Sequence, residues 1–373
     1  MNILSLFDGK SSGFTACELA GIEADNYYSA EIDKYAIRVS DAIHPNQTRL
    51  GSVTEWRDWD IDWGSIDIIF GGFPCQAWSM AGKQLGDKDE RGMLFWTMLD
   101  IMKHVRHHNP KADFLIENVK MKKEFEEYIT HHMTEAVGEV YKTLINSALV
   151  SAQERNRYYW TSFPVTQPDD RGIVLADIIE SNPDFESQSS GWHKWFFNNL
   201  DLQIIKSYSQ LCNFNDKSIT MTARQYASWN GNFLIVKQEG VKDIQIDIAK
   251  KPPYAFYETR TELGKKLRRE LSKAKGKDTS ARCIKSKMYR NHTHNKANCL
   301  TAARSFFETI MDSEYRVRKL TPRECFRLQT VPEHHIDKII NCGVSNSQLY
   351  KIAGNGWTDE VIAHILQCME NKA

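Results

Sequence analysis

The sequence carries no net charge, with 48 Lys and Arg against 48 Asp and Glu over 373 residues. Overall charge therefore selects no partner, and a polyanion would have to be met by local clusters. No apolar run approaches the roughly 20 residues a membrane-spanning helix needs. The eight cysteines include no CxxC pair, which speaks against a disulfide framework and for reduced thiols in a cytoplasm-like compartment. The chain opens directly on a strand-like segment, with no leader-like stretch before it. There is no internal repeat and no long low-complexity run. His292, His294 and Cys299 match no standard zinc spacing, so no metal is expected.

What is present is an alternation. "NILSLF" (2–7), "NYYSAEI" (26–32), "IDIIFGG" (66–72), "DFLIENV" (113–119) and "RYYWTSF" (157–163) read as strands. Helical patterns follow at 14–21, at "KYAIRVSDAI" (34–43) and at "MLFWTMLDIMKHV" (93–105), the last with the 3.6-residue apolar period of an amphipathic helix. Strands alternating with helices predict an α/β fold with a mostly parallel sheet, which binds ligands at the carboxyl ends of its strands. After "PVTQPDDRG" (164–172) the pattern becomes irregular until about residue 312. Between Arg260 and Lys296 basic residues outnumber acidic ones by roughly four to one, a density that suits phosphates or, more plainly, a solvated loop. Regular patterning returns from Tyr315 and closes on "EVIAHILQCM" (360–369).

Four stretches carry chemistry. "FDGKSSGF" (7–14) joins a strand to a helix through a glycine-rich turn, the arrangement that cradles nucleotides, with Gly9 and Gly13 allowing close approach. In "GGFPCQ" (71–76), Pro74 presents Cys75 in a defined direction at a strand end, as a nucleophile or as a buried structural thiol. Glu117 in "FLIENV" ends another strand at the same rim, as a carboxyl for a bound heterocycle or as a solvated or capping residue. Arg155 and Arg157 in "QERNR" (153–157) would share one face of a strand, able to hold a carbonyl and a phosphate, or forming a surface charge pair.

Taken together these blocks resemble the DNA (cytosine-5)-methyltransferase family of phage and bacterial type. "SAEID" (29–33), "RKLTPRECFRLQ" (318–329) and "AGNGWTDEV" (353–361) extend the resemblance in the family's order, across residues 1–163 and 315–373. It implies a Rossmann-like S-adenosylmethionine-dependent methyltransferase domain, 1–165 plus 313–373, and a smaller, irregular target-recognition domain, 166–312. By the same resemblance Cys75 is the nucleophile that adds to C6 of cytosine. Glu117 holds N3 and the exocyclic amine, Arg157 holds O2, Arg155 supports it and Gln153 orders the arginines. The cofactor is S-adenosyl-L-methionine, placed among Phe7, Gly9, Gly13, Glu31 on the ribose, and Asn355. Ser52 stands where the family usually has an acidic residue that receives the adenine amino group.

The expected partner is double-stranded DNA, met by a monomer with no membrane, in the cytoplasm of a bacterial or phage-infected cell. Gln153, Arg224, Gln225 and the basic Lys265, Lys266, Arg268 and Arg269 are the expected DNA contacts. The target base must flip out, and residues 77–92 have the composition of a closing lid. The same chemistry on tRNA, or a silent DNA-binding paralogue, are the alternatives. Lys10 is the departure: the family places an uncharged residue there. Three readings follow. The ammonium points to solvent; it pairs with a carboxylate such as Asp8 or Glu31; or it receives the extra carboxylate of carboxy-S-adenosyl-L-methionine, so that the group transferred is carboxymethyl.

Overall fold

A computed structural model describes residues 1–74, 93–180, 209–212, 215, 217–223, 225, 231–237 and 315–370. Cys75, residues 77–92, Arg224, Lys265, Lys266, Arg268, Arg269, His292, His294 and Cys299 lie outside the described residues.

Seven strands form one sheet: β1 (Asn2–Leu6), β2 (Asn26–Ala30), β3 (Thr48–Arg49), β4 (Ile68–Gly71), β5 (Asp113–Val119), β6 (Tyr141–Asn146) and β7 (Asn156–Thr161). Their spatial order is β3-β2-β1-β4-β5-β7-β6. The first five are parallel, and β7 is inserted antiparallel to both β5 and β6. The topological switch lies between β1 and β4, where the connections leave in opposite directions and ligands enter such sheets.

Alternation along the strands sorts the side chains onto two faces. Leu4, Leu6, Ile69, Phe114 and Ile116 pack with Phe95, Met98, Leu99 and Met102 of helix α3 (Met93–His108). Ile3, Ile68, Phe70 and Leu115 face the other way. They meet Ala16 and Cys17 of α1 (Ser12–Ala20) and Val361, Ile362, Ile365 and Leu366 of the closing helix (Asp359–Glu370). Burial among these apolar groups pushes the Cys17 thiol up to about 12, so it packs as an inert hydrophobe. α1 can lie this close because residue 13 is glycine: a Cβ there would stand 2.5 Å from Phe70 Cδ2 and 2.9 Å from the Tyr27 hydroxyl.

A third cluster joins α2 (Lys34–Ile43), α5 (Leu175–Ile178), α6 (Pro322–Leu328), α7 (Glu333–Asn341) and α8 (Asn346–Asn355). The helix α4 (Lys123–Val137) packs on α3, and the closing helix is α9. α6 begins with a capping box between Thr321 and Glu324, with Pro322 at its first turn. No helix among the described residues is long and apolar enough to cross a membrane.

A second sheet, ordered β10-β9-β8, is formed by β8 (Ser209–Cys212), β9 (Gly231–Lys237) and β10 (Tyr315–Lys319). The sequence places β10 in the large domain, yet it pairs antiparallel with β9. Leu175 and Ile178, expected in the small domain, pack instead with Phe326 and Leu328.

Candidate active site

The loop after β1 is a run of strained backbone. Phe7, Gly9 and Ser11 all adopt left-handed φ values, 56°, 61° and 60°, and for a bulky residue such as Phe7 that conformation is costly. It is held by Asp8, whose buried carboxylate accepts from the hydroxyls of Ser5 (2.5 Å), Ser11 (2.5 Å), Tyr27 (2.7 Å) and Ser29 (2.8 Å). Burial, and then the Asp8 carboxylate, raise the Tyr27 phenol well above its usual range, so it remains a donor. Glu31 fastens the loop from β2: Oε2 accepts from the Gly9 amide at 2.8 Å, and Oε1 accepts from the amides of Ile32 and Asp33, each at 2.8 Å.

Around this loop the expected cofactor residues separate. Phe7, Gly9 and Glu31 are partly accessible at the rim, and Asn355 is exposed at the end of α8. Beside them Ile32, which sequence reasoning passed over, leaves 74% of its surface open. Gly13 is different, because its missing side chain makes room for Phe70 and Tyr27 rather than for a ligand. Ser52 Oγ caps the short helical turn at 53–58, accepting from the Thr54 amide at 3.2 Å.

Lys10 is neither solvent-facing nor paired with Asp8 or Glu31. Its Nζ donates to both carboxylate oxygens of Asp359, at 2.8 and 2.7 Å, and both side chains are fully buried. The partner comes from the first turn of α9, 349 positions away, a distance at which no local pattern signals it. An ammonium sealed in this way is not available to a cofactor's carboxylate. The carboxymethyl reading thereby loses the observation that motivated it.

The second pole is at the carboxyl end of β5. Glu117 is buried, with Oε1 2.9 Å from Arg157 Nε and Oε2 accepting from the Trp357 indole at 3.2 Å. The Arg157 Nε is not aimed for a good hydrogen bond, so this contact is mainly electrostatic; its Nη1 donates to the Asn156 carbonyl at 2.8 Å. Gly72 leaves the room: a Cβ there would stand 3.3 Å from Trp357 Nε1 and 3.4 Å from Glu117 Oε2. Asn118 donates to the Phe73 carbonyl at 3.0 Å, tying β5 to the backbone that runs into Pro74 and on toward Cys75. Burial, with the Glu117 charge added, raises the phenol of Tyr159, which faces Glu117 across the β5–β7 pairing.

Arg155 and Arg157 do not share a strand face. Arg155 precedes β7 and is buried, and its guanidinium donates to the carbonyls of Met221 (3.1 Å), Gly354 (3.3 Å) and Gly356 (2.9 Å). It links three segments of chain rather than facing Glu117. Gln153 is likewise fully buried, donating to the Leu328 carbonyl at 3.3 Å and accepting from the Met221 amide at 2.9 Å. Its side-chain amide is spent on two backbone partners within the protein. Gln225 is buried as well, and its backbone carbonyl accepts from Lys319 Nζ at 2.7 Å.

Away from this pocket, Glu18, His44 and His335 converge between α1, α2 and α7. His44 Nδ1 lies 3.4 Å and His335 Nε2 lies 3.5 Å from the Glu18 carboxylate. Burial, followed by neighbouring positive charge, lowers His44 to about 3 and His335 to about 4, so both imidazoles are neutral. Phe14 stacks on His44 with ring centres 4.3 Å apart.

A parallel-dominated sheet with β7 inserted antiparallel, a nucleotide-type loop after β1 and an acidic residue after β2 define a Rossmann-like methyltransferase fold. The chain belongs to the C-5 cytosine-specific DNA methylase family, whose sequence pattern matches residues 1–371. It is 26% identical to the orphan methyltransferase M.SPRI of Bacillus phage SPR, the alignment covering 98% of this chain and 97% of that one. It is 29% identical to the type II methyltransferase M1.ScrFI of Lactococcus lactis subsp. cremoris, over 88% of this chain and 67% of that one. Over a shorter stretch, 32% of this chain and 34% of the other, it is 39% identical to M.HhaI of Haemophilus parahaemolyticus. In fold it is similar to a solved structure of a mutant of Spodoptera frugiperda DNMT2, with TM-score 0.60, 17% identity and 99% of each chain covered. It is also similar to Entamoeba histolytica EhMeth, with TM-score 0.63, 13% identity, and 100% and 99% covered.

Proposed function

We propose that this protein methylates C5 of cytosine in double-stranded DNA, with Cys75 adding covalently to C6. The observation that carries this reading is the buried Glu117, set between Arg157 and Trp357, at the rim where its neighbour Asn118 ties in the backbone of residues 71–74 that precedes Cys75. Cytosine C5 is a poor nucleophile; a thiolate added at C6 makes it enamine-like and able to attack an electrophilic methyl group. Glu117 then holds N3 and the exocyclic amine as charge develops on the ring, and Arg157 holds O2. After transfer, loss of the C5 proton expels the thiol. Because C6 is inaccessible in stacked duplex, the base is extruded first.

The residues at the β1 loop suit S-adenosylmethionine. Glu31 takes the ribose hydroxyls, the exposed Ile32 offers an apolar surface to the adenine, and Asn355 closes the pocket from α8. The cofactor supplies an activated methyl group. Lys10, closed on Asp359, leaves the plain methyl donor as the reading. The relatives named above are orphan and type II DNA methyltransferases, which favours DNA as the acceptor. The basic stretch containing Lys265, Lys266, Arg268 and Arg269 is assigned to the phosphates.

The test is covalent capture. A mixed-sequence duplex in which 5-fluorocytosine replaces every cytosine is incubated with the protein and S-adenosylmethionine. The C5 fluorine blocks elimination, so a denaturation-resistant adduct is expected with the parent and absent from Cys75→Ser, which should still bind DNA. An adduct formed equally well by Cys75→Ala would overturn the mechanism.

A further inference from the structure

Trp357 sits on a strap, residues 354–359, that is fastened at nearly every step. Arg155 donates to the carbonyls of Gly354 and Gly356. Gln329 Nε2 donates to the carbonyls of Ala353 (2.6 Å) and Gly356 (3.3 Å), and its backbone carbonyl accepts from the Asp359 amide at 2.9 Å. The Thr358 hydroxyl is bonded to Gln329 Oε1 (3.0 Å) and to the Ser147 hydroxyl (2.8 Å). A Cβ on Gly354 would stand 2.2 Å from the Thr222 carbonyl oxygen, so even the packing of segment 217–223 fixes its height. Asp359 binds Lys10 of the β1 loop, and two residues earlier Trp357 reaches Glu117. One short segment thus touches both poles of the site.

The geometry points to Trp357 as a positioning residue for Glu117, carried on a strap that ties the cofactor loop to the carboxyl holding the cytosine. This rests on the function proposed above. A carboxyl at a strand end can rotate about its terminal torsion, which is broad. Here the Arg157 charge draws one oxygen and the Trp357 N–H bonds the other, so the indole supplies the directional contact that sets the carboxyl plane before a base arrives. An oxygen accepting one N–H keeps a second lone pair for the cytosine amine. The indole also meets Phe70 in an edge-type contact, with ring centres 6.4 Å apart. A shift of the β1 loop on cofactor binding therefore reaches Glu117 through Lys10, Asp359 and Trp357.

Trp357→Phe removes the N–H and keeps an aromatic ring against Phe70. With the 5-fluorocytosine duplex, the limiting rate of adduct formation at saturating DNA and S-adenosylmethionine is expected to fall about tenfold, the size of one hydrogen bond to a charged group. The DNA concentration giving half that rate should change less than twofold. S-adenosylhomocysteine should bind the variant as it binds the parent when DNA is absent, and any tightening of its binding by the duplex should shrink. A second variant, Trp357→His, keeps a ring N–H and should recover part of the rate. Parent-like trapping and unchanged coupling in Trp357→Phe would overturn the inference, as would a loss confined to half-saturation. If the parent itself forms no adduct, the proposed function has failed instead.

Discussion

The buried pair Lys10–Asp359 gives the sharpest energetic test. Both side chains are fully buried and the ammonium contacts both carboxylate oxygens, at 2.8 and 2.7 Å. Burial raises the Asp359 carboxyl against the lowering pull of the adjacent Lys10, and a fully buried pair of this kind adds little net stability because desolvation offsets its attraction. Removing one partner is another matter, because the remaining charge has no counterion. Lys10→Met and Asp359→Leu are each expected to cost about 3–5 kcal/mol, whereas the double variant should return to within about 1 kcal/mol of the parent or exceed it. Urea unfolding of the four proteins, compared by midpoint at constant slope, gives the cycle. Single costs below about 1 kcal/mol would show that Lys10 is not committed to Asp359. A double variant as unstable as the sum of the singles would show that the charges are not the cause.

Other expectations follow from the same geometry. Gly13→Ala forces a Cβ against Phe70 and Tyr27 and should cost about 1–3 kcal/mol in urea unfolding. Gly9→Ala meets open space at φ 61° and should cost only about 1–2 kcal/mol of left-handed strain; the reverse order would contradict the packing. His44 and His335 titrate lower in the folded chain than their ordinary 6.5, so the unfolded chain takes up protons first as pH falls. Their contribution to stability should be intact above about pH 6.5 and decline below it toward pH 4, by about 1.4 kcal/mol per pH unit for each. His335→Leu should flatten that slope, and an unchanged slope would refute the assignment. Neutralising Lys265, Lys266, Arg268 and Arg269 together should weaken DNA binding at every sequence and make its salt dependence shallower; an unaltered salt slope would count against phosphate contact.

The sheet was legible because its signals are local. Each β strand from Asn2 to Val119 that exceeds two residues is an apolar run bounded by turn residues, and α2 and α3 begin where their patterns begin. β3, two residues long, carries no such signal. α4 was missed because its sequence, "KEFEEYITHHMTEAV", buries few apolar groups, and β6 because only Ile145 of its six residues is buried. In the site, Glu117 and Arg157 could be read from their motifs, since a strand end fixes where a side chain emerges. The roles of Lys10, Arg155, Gln153 and Gln225 could not, because each depends on a partner distant in sequence. The anchoring role of Asp8, and Trp357 altogether, were passed over for a related reason. An aspartate beside glycine reads as a turn residue until four hydroxyls close on it, and a tryptophan reads as core until its indole N–H is seen on Glu117.

The measurement closest to the central claim is mass spectrometry of nucleosides after the protein is incubated with S-adenosylmethionine bearing a deuterated methyl group, with genomic duplex DNA and bulk tRNA offered together. The account requires deuterated 5-methyl-2′-deoxycytidine from the DNA and none from a Cys75→Ser control. Label appearing only in 5-methylcytidine of the tRNA, or on an exocyclic amine rather than on C5, would contradict it.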